Sequence, residues 1–173
     1  MADEQDWTID EIEVEVTGVF TTHHYFETKA GTLGEFTFPA FSKQGVFQTA
    51  DGRELVMQKR SWLGSAHEVL EGQALRGTAD RRGVLSRDIL LEFDGKAYTL
   101  EPEGIFRQGW FLLDAAGDKL LEIQPRGVLR QGAYLTSKDV LAADLIAFAY
   151  YLVYMRQQED AAAAAAASGA AAS

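Results

Sequence analysis

The sequence contains no cysteine. A disulfide scaffold, a thiolate zinc site and a cysteine nucleophile are therefore excluded, and the absence fits a reducing cytoplasm. Basic residues are the minority: 16 Lys and Arg against 26 Asp and Glu leave a formal net charge of -10. Such a chain is repelled by phosphate backbones, which argues against nucleic-acid binding. The opening MADEQDWTIDE is acidic and holds no apolar core, so no secretory signal is expected. No G-x-S-x-G elbow, P-loop, G-x-G-x-x-G or EF-hand spacing occurs. Long apolar runs are missing as well. The most apolar stretch, Leu145 to Met155, is eleven uncharged residues between Asp144 and Arg156. As a helix it covers about 16 Å, half of the roughly 30 Å of a bilayer core, so no transmembrane span is expected.

What is present reads mostly as short strands. Ile12 to Val16, IEVEV, alternates apolar and acidic residues, the pattern of a strand with one buried and one wet face. ILLEF and KAYTL flank Asp94-Gly95, and a two-residue Asp-Gly loop supplies the positive backbone angles of a type I′ hairpin. Asp51-Gly52 repeats the device, and WFLLDAAGDKLLEI repeats it with a longer loop around Gly117. Evenly spaced hairpins predict an antiparallel sheet of many strands. GIFRQGWF (Gly104 to Phe111) returns as GVLRQGAY (Gly127 to Tyr134), which suits a repeated strand-turn-strand unit. Two copies are too few for a propeller or solenoid.

The period then changes. Thr136-Ser137-Lys138-Asp139 fits a capping box. The residues beyond it favour helix, with no Pro or Gly to interrupt, and predict a helix over about 138–158. The alanine-rich residues 161–173 have nothing to bury and are expected to be a frayed or disordered low-complexity tail. From Leu145 to Met155 no face of the helix carries a charge, and a helix apolar all round is buried all round. One such helix after a run of strands implies that the sheet closes into a barrel and the helix threads it. Leu145, Phe148, Tyr151, Leu152 and Met155 are its structural residues, and Tyr150 and Tyr154 help to fill the barrel.

On these features the chain resembles the tubby C-terminal-like superfamily, which includes the phospholipid scramblases and the LURP-one-related proteins. The resemblance rests on the hairpin FLLDAAGDKLLEI, the preceding FDGKAYTLEP and the closing DVLAADLIAFAYYLVYM, and it covers about the last two-thirds of the chain. It implies a mainly β fold: a closed antiparallel barrel of about twelve strands around a buried C-terminal hydrophobic helix. Tubby domains bind phosphoinositides through basic residues, and scramblases use lipidated cysteines and calcium. This chain has no cysteine to lipidate and no calcium loop. Many LURP-one-related proteins have no assigned activity, and the resemblance to them is the greater.

Three histidines and one basic cluster are the candidate site residues. His23 and His24 are strand neighbours and should face opposite ways, which disfavours a shared metal. His67, near Ser61 and Ser65, reads as an exposed polar residue. Trp7, Trp62 and Trp110 read as core or rim packing. Arg76, Arg81, Arg82 and Arg87 fall close together after an acidic first third. Arg81 and Arg82, read as a turn tip, are the candidate contact for an anionic lipid. The sequence thus predicts a single barrel domain over 1–160 and a cytoplasmic, non-enzymatic binding module without a cofactor. Its partner would be an unknown protein or a weakly held membrane surface. The alternative is a metal-dependent or hydrolytic enzyme using His23, His24 or His67.

Overall fold

The computed structural model describes residues 10–61, 63–83, 86–104, 108–126 and 131–170. Its first six strands are β1 (Asp10–Thr17), β2 (Thr22–Thr28), β3 (Gly31–Phe38), β4 (Gly45–Thr49), β5 (Glu54–Lys59) and β6 (His67–Glu71). The next six are β7 (Ala74–Arg81), β8 (Ile89–Phe93), β9 (Lys96–Pro102), β10 (Trp110–Leu113), β11 (Lys119–Pro125) and β12 (Gly132–Ser137). One helix follows, α1 (Ala143–Ala170).

Each strand pairs antiparallel with its sequence neighbours, and β1 pairs with β12 from Asp10↔Ser137 to Glu15↔Gly132. Closure leaves no sheet edge to be satisfied elsewhere. The Asp94-Gly95 turn is as the sequence predicts: both residues have positive φ, 47° and 74°, as a type I′ turn requires. Asp51-Gly52 does not repeat it: only Gly52 has positive φ, 86°, and the pair sits in a four-residue connection closed by the Thr49 amide donating to the Arg53 carbonyl. Glycine is also needed at the seam, where a Cβ on Gly132 would lie 2.1 Å from the Val14 carbonyl oxygen. Ile12 and Val14 point inward and Glu11 and Glu15 outward, so the IEVEV alternation sorts the two faces of the wall.

Because successive strands reverse, the loops after odd strands share one mouth of the barrel and the turns after even strands share the other. At the second mouth, 29–30, 72–73 and 94–95 are two-residue turns. Here α1 enters from β12. The first mouth carries longer loops, among them 39–44, 60–66, 82–88 and 103–109.

No residue from Leu145 to Val153 is more than 4% exposed. Nine consecutive helical residues sweep every face of the helix, so the barrel surrounds α1 on all sides. Phe148 meets Phe93 of β8 at 6.2 Å between centroids. Tyr150 meets Phe26 of β2 edge-on at 5.0 Å, and Tyr151 lies parallel to Phe38 of β3 at 6.3 Å. Leu145, Phe148, Tyr151, Leu152 and Met155 are all buried, and Tyr154 is partly so.

The helix departs from expectation at both ends. It begins at Ala143 rather than near 138, because Thr136 and Ser137 belong to β12 and pair with Glu122 and Leu121. Thr136 caps nothing, and the Ser137 hydroxyl donates to the Asp139 carbonyl instead. It continues to Ala170 instead of ending near 158 in a frayed tail, although 161–169 are exposed. Alanine is the strongest helix former, so extending an existing helix needs no buried face. Trp110 is a core residue at 3% exposure. Trp7, Trp62 and the repeated segments at 105–107 and 127–130 lie outside the described residues.

Phe148→Asp should place an unpaired charge inside the barrel. The cost is several kcal/mol, against a net stability of about 5–15 kcal/mol for a domain. Thermal unfolding is expected to show a collapsed or strongly lowered transition. An unchanged melting temperature would rule out the enclosed helix.

Candidate functional site

Two ionic clasps hold α1, one at each mouth. At the entry mouth Arg53, just before β5, grips Asp144 with both guanidinium nitrogens: Nη1 to Oδ2 at 2.7 Å and Nη2 to Oδ1 at 3.2 Å. Arg76 of β7 stands 3.6 Å from the same carboxylate and also binds Asp94 and Glu71. Asp144 is buried, while the Arg53 side chain is 42% exposed. At the exit mouth Glu159 pairs with Lys59 of β5 at 3.1 Å and with Arg81 of β7 at 2.6 Å. Burial pushes the Glu159 carboxyl up, but the Lys59 hydrogen bond and the Lys59 and Arg81 charges outweigh it and hold it below its usual value. Asp144 and Glu159 bracket the apolar run in the sequence, the one signal that could have marked them in advance.

The histidines separate. His24 points into the barrel and His23 out of it, as strand alternation requires. His23 Nδ1 meets Glu35 Oε1 at 2.6 Å, half-exposed on the wall. His24 Nδ1 lies 2.7 Å from the Tyr150 hydroxyl. His67 is not the exposed residue expected: it is 8% exposed, because it shares the inward face of β6 with Val69. Its Nδ1 lies 3.2 Å from the Tyr151 hydroxyl, which donates its proton to the Lys43 carbonyl at 2.7 Å. A phenol has one proton to give, so His67 Nδ1 must be the protonated nitrogen of that pair. Burial lowers both buried histidines from 6.5 to about 4, helped by His23 for His24 and chiefly by Lys59 for His67. Ser65 donates to Asp80 rather than facing His67. Among the described residues no group of three or more His, Asp or Glu could hold a metal ion.

Arg81 ends β7 and is committed to Glu159, while Arg82 lies 3.7 Å from Asp88. Neither projects as an unpaired turn-tip cation. Beside His67, Arg81 and Glu159 the barrel retains a cavity of only about 20 Å³, the size that one water needs. Two open hollows lie on the outer wall: about 420 Å³ beside Asp80, Glu92 and Tyr98, and about 510 Å³ beside Glu11, Glu13, Glu27 and Lys29.

No protein-family model matches the chain. No curated protein matches it. Among solved structures, the X-ray structure of the Arabidopsis thaliana protein AT5G01750 is similar, with a TM-score of 0.59 and 11% sequence identity. The match covers 87% of this chain and 91% of that one. At that identity the likeness is one of fold.

The clasp predicts an asymmetry. Arg53→Ala leaves a buried carboxylate with only the more distant Arg76, whereas Asp144→Asn leaves an arginine that water can reach. Arg53→Ala should lower the melting temperature more, and the reverse order would sink this account. The buried histidines predict a pH dependence. Between about 6.5 and about 4 the unfolded chain takes up protons that folded His24 and His67 refuse. Stability should therefore fall as pH drops through that window and level off below it, by roughly 3 kcal/mol at most per histidine. Urea midpoints at pH 7 and pH 4.5 should show a smaller loss for a His24→Gln, His67→Gln double variant than for the parent chain. Equal losses would assign the effect to carboxylates.

Proposed function

We propose that this chain is a non-enzymatic binding module of the LURP-one-related type, within the tubby C-terminal-like superfamily. The fold likeness to the Arabidopsis structure and the hairpin rhythm with its closing helix support that placement. One observation carries the reading: the barrel interior, the usual ligand site of such a sheet, is filled by α1 from Leu145 to Val153. The polar groups inside it are already satisfied by one another: His24 by Tyr150, and His67 by Tyr151. Recognition then falls to the outside of the barrel and to its rims.

Native mass spectrometry of the purified chain tests this. The expected mass is that of the polypeptide alone. A metal ion or a small organic ligand retained at one per chain would overturn the binding-module reading and favour an enzyme built on His23, His24 or His67.

A further inference from the structure

The largest apolar side chains left in water are not scattered. Among the described residues, five exceed 70% exposure: Val19 at 89%, Phe20 at 79%, Phe41 at 104%, Leu63 at 77% and Val140 at 90%. Val140 lies at the entry mouth, in the connection from β12 to α1. The other four sit on the loops β1–β2, β3–β4 and β5–β6, which are neighbours in the barrel and all open at the exit mouth.

Phe41 is the most telling of them. Its φ is 59°, left-handed, in a turn closed by the Ser42 amide donating to the Pro39 carbonyl at 3.1 Å. That position favours glycine, and a bulky side chain there is strained. The strain gains nothing inside the molecule, because the ring is fully exposed. An apolar side chain held out at a conformational cost points to a use outside the fold.

Charge at this mouth also departs from the rest of the chain. Its loops carry exposed Lys43, Arg60, Arg82 and Arg87 in a protein of net charge -10. Several of the carboxylates nearby are engaged: Asp80 by Ser65, Asp88 by Arg82, Glu103 by Gln124, Glu159 by Lys59 and Arg81, and Asp160 by Arg156. Glu15 of β1 and Glu101 of β9 also lie near this mouth. No carboxylate among the described residues pairs with Lys43 or Arg87, and Arg87 Nη1 donates to the Gly104 carbonyl at a long 3.4 Å. The helix leaves through the same mouth, and its exposed residues 161–169 carry no charge.

We infer that the exit mouth is a membrane-docking rim: Val19, Phe20, Phe41 and Leu63 enter the headgroup layer of an anionic bilayer while Lys43 and Arg87 contact its phosphates. Separate apolar tips beside exposed cations suit a lipid interface, which takes up each tip independently. A protein partner needs a continuous complementary surface of about 1,000 Å² or more. The acidic wall is repelled from the same bilayer, which sets the barrel upright on its rim. The inference rests on the binding-module reading and assigns the surface that does the binding.

Vesicle co-sedimentation of the full chain tests it, with phosphatidylserine–phosphatidylcholine vesicles against phosphatidylcholine alone. Binding is expected to the anionic vesicles and to persist in part at about 0.15 M salt, because the tips are not screened. Phe20→Ser, Phe41→Gly and Leu63→Ser together should weaken it about tenfold or more. That variant should melt no lower than the parent, since all three side chains are exposed and glycine fits the Phe41 angle without strain. Lys43→Gln with Arg87→Gln should cost about fivefold per cation. Binding to neither vesicle, binding untouched by the apolar triple variant, or a rim-dependent dimer without vesicle binding would each overturn the inference. A retained ligand in the native mass spectrum would instead remove the reading beneath it.

Discussion

A helix with no polar face cannot rest on the surface of a protein in water. From Leu145 to Val153 every direction around α1 is apolar and every direction is buried. That requirement dictates the rest of the architecture. A sheet on one side would leave the other side wet, so the wall must go all the way round, and twelve antiparallel strands with β1 joined to β12 do so. Interior positions of the wall then need bulk on one side and flatness on another. Phe26, Phe36 and Phe38 of β2 and β3 pack against Tyr150 and Tyr151, Phe47 of β4 backs Phe26 and Phe36, and Gly34 leaves room for the Phe47 ring, which a Cβ there would meet at 2.4 Å.

Hydrophobic burial is non-directional and does not by itself fix how far the helix is pushed into the barrel. The clasps supply that register. Arg53, just before β5, and Lys59, its last residue, are six residues apart, which at about 3.3 Å per residue is about 20 Å. Asp144 and Glu159 are fifteen residues apart on α1, which at about 1.5 Å per residue is about 22 Å. Strand and helix run in the same direction, and the two spans agree to within about 3 Å, or about two helical residues. A one-residue slide would turn each side chain by about 100° and break both clasps together. Buried ion pairs are weak sources of net stability, but a matched pair of them is a ruler.

The wall was legible in the sequence and much of the polar chemistry was not, for a physical reason. Strand alternation and Asp-Gly turns are local, and IEVEV and Asp94-Gly95 behave as their local chemistry dictates. The length and neutrality of Leu145 to Met155 likewise imply the closed barrel. Thr136 failed as a cap because a long-range pairing with Glu122 outcompeted a local hydrogen bond. His67 looked exposed because a lone histidine between Ala66 and Glu68 gives no sign of which strand face it occupies. Its burial depends on Tyr151, 84 positions away. Arg81 looked like a free tip because Glu159 lies 78 positions away. The apolar rim was missed for the same reason: Phe20, Phe41 and Leu63 are unremarkable one at a time and become neighbours only when odd-numbered strands end at one mouth.

The core and the rim are coupled through one side chain. The Tyr151 hydroxyl donates to the Lys43 carbonyl, and Lys43 lies two residues from Phe41 on the loop between β3 and β4. The same hydroxyl accepts from His67, so the loop, the helix and β6 meet at one oxygen. A loop at a barrel mouth is ordinarily free to drift, because its backbone can bond to water as readily as to protein. Here its base is tied to the element whose depth the two clasps set. The barrel therefore fixes the depth of α1, α1 fixes Tyr151, and Tyr151 fixes the base of the loop that holds Phe41 in the open. A strained, exposed aromatic persists only when its surroundings over-determine it, and this chain of contacts shows how a filled barrel can supply that constraint.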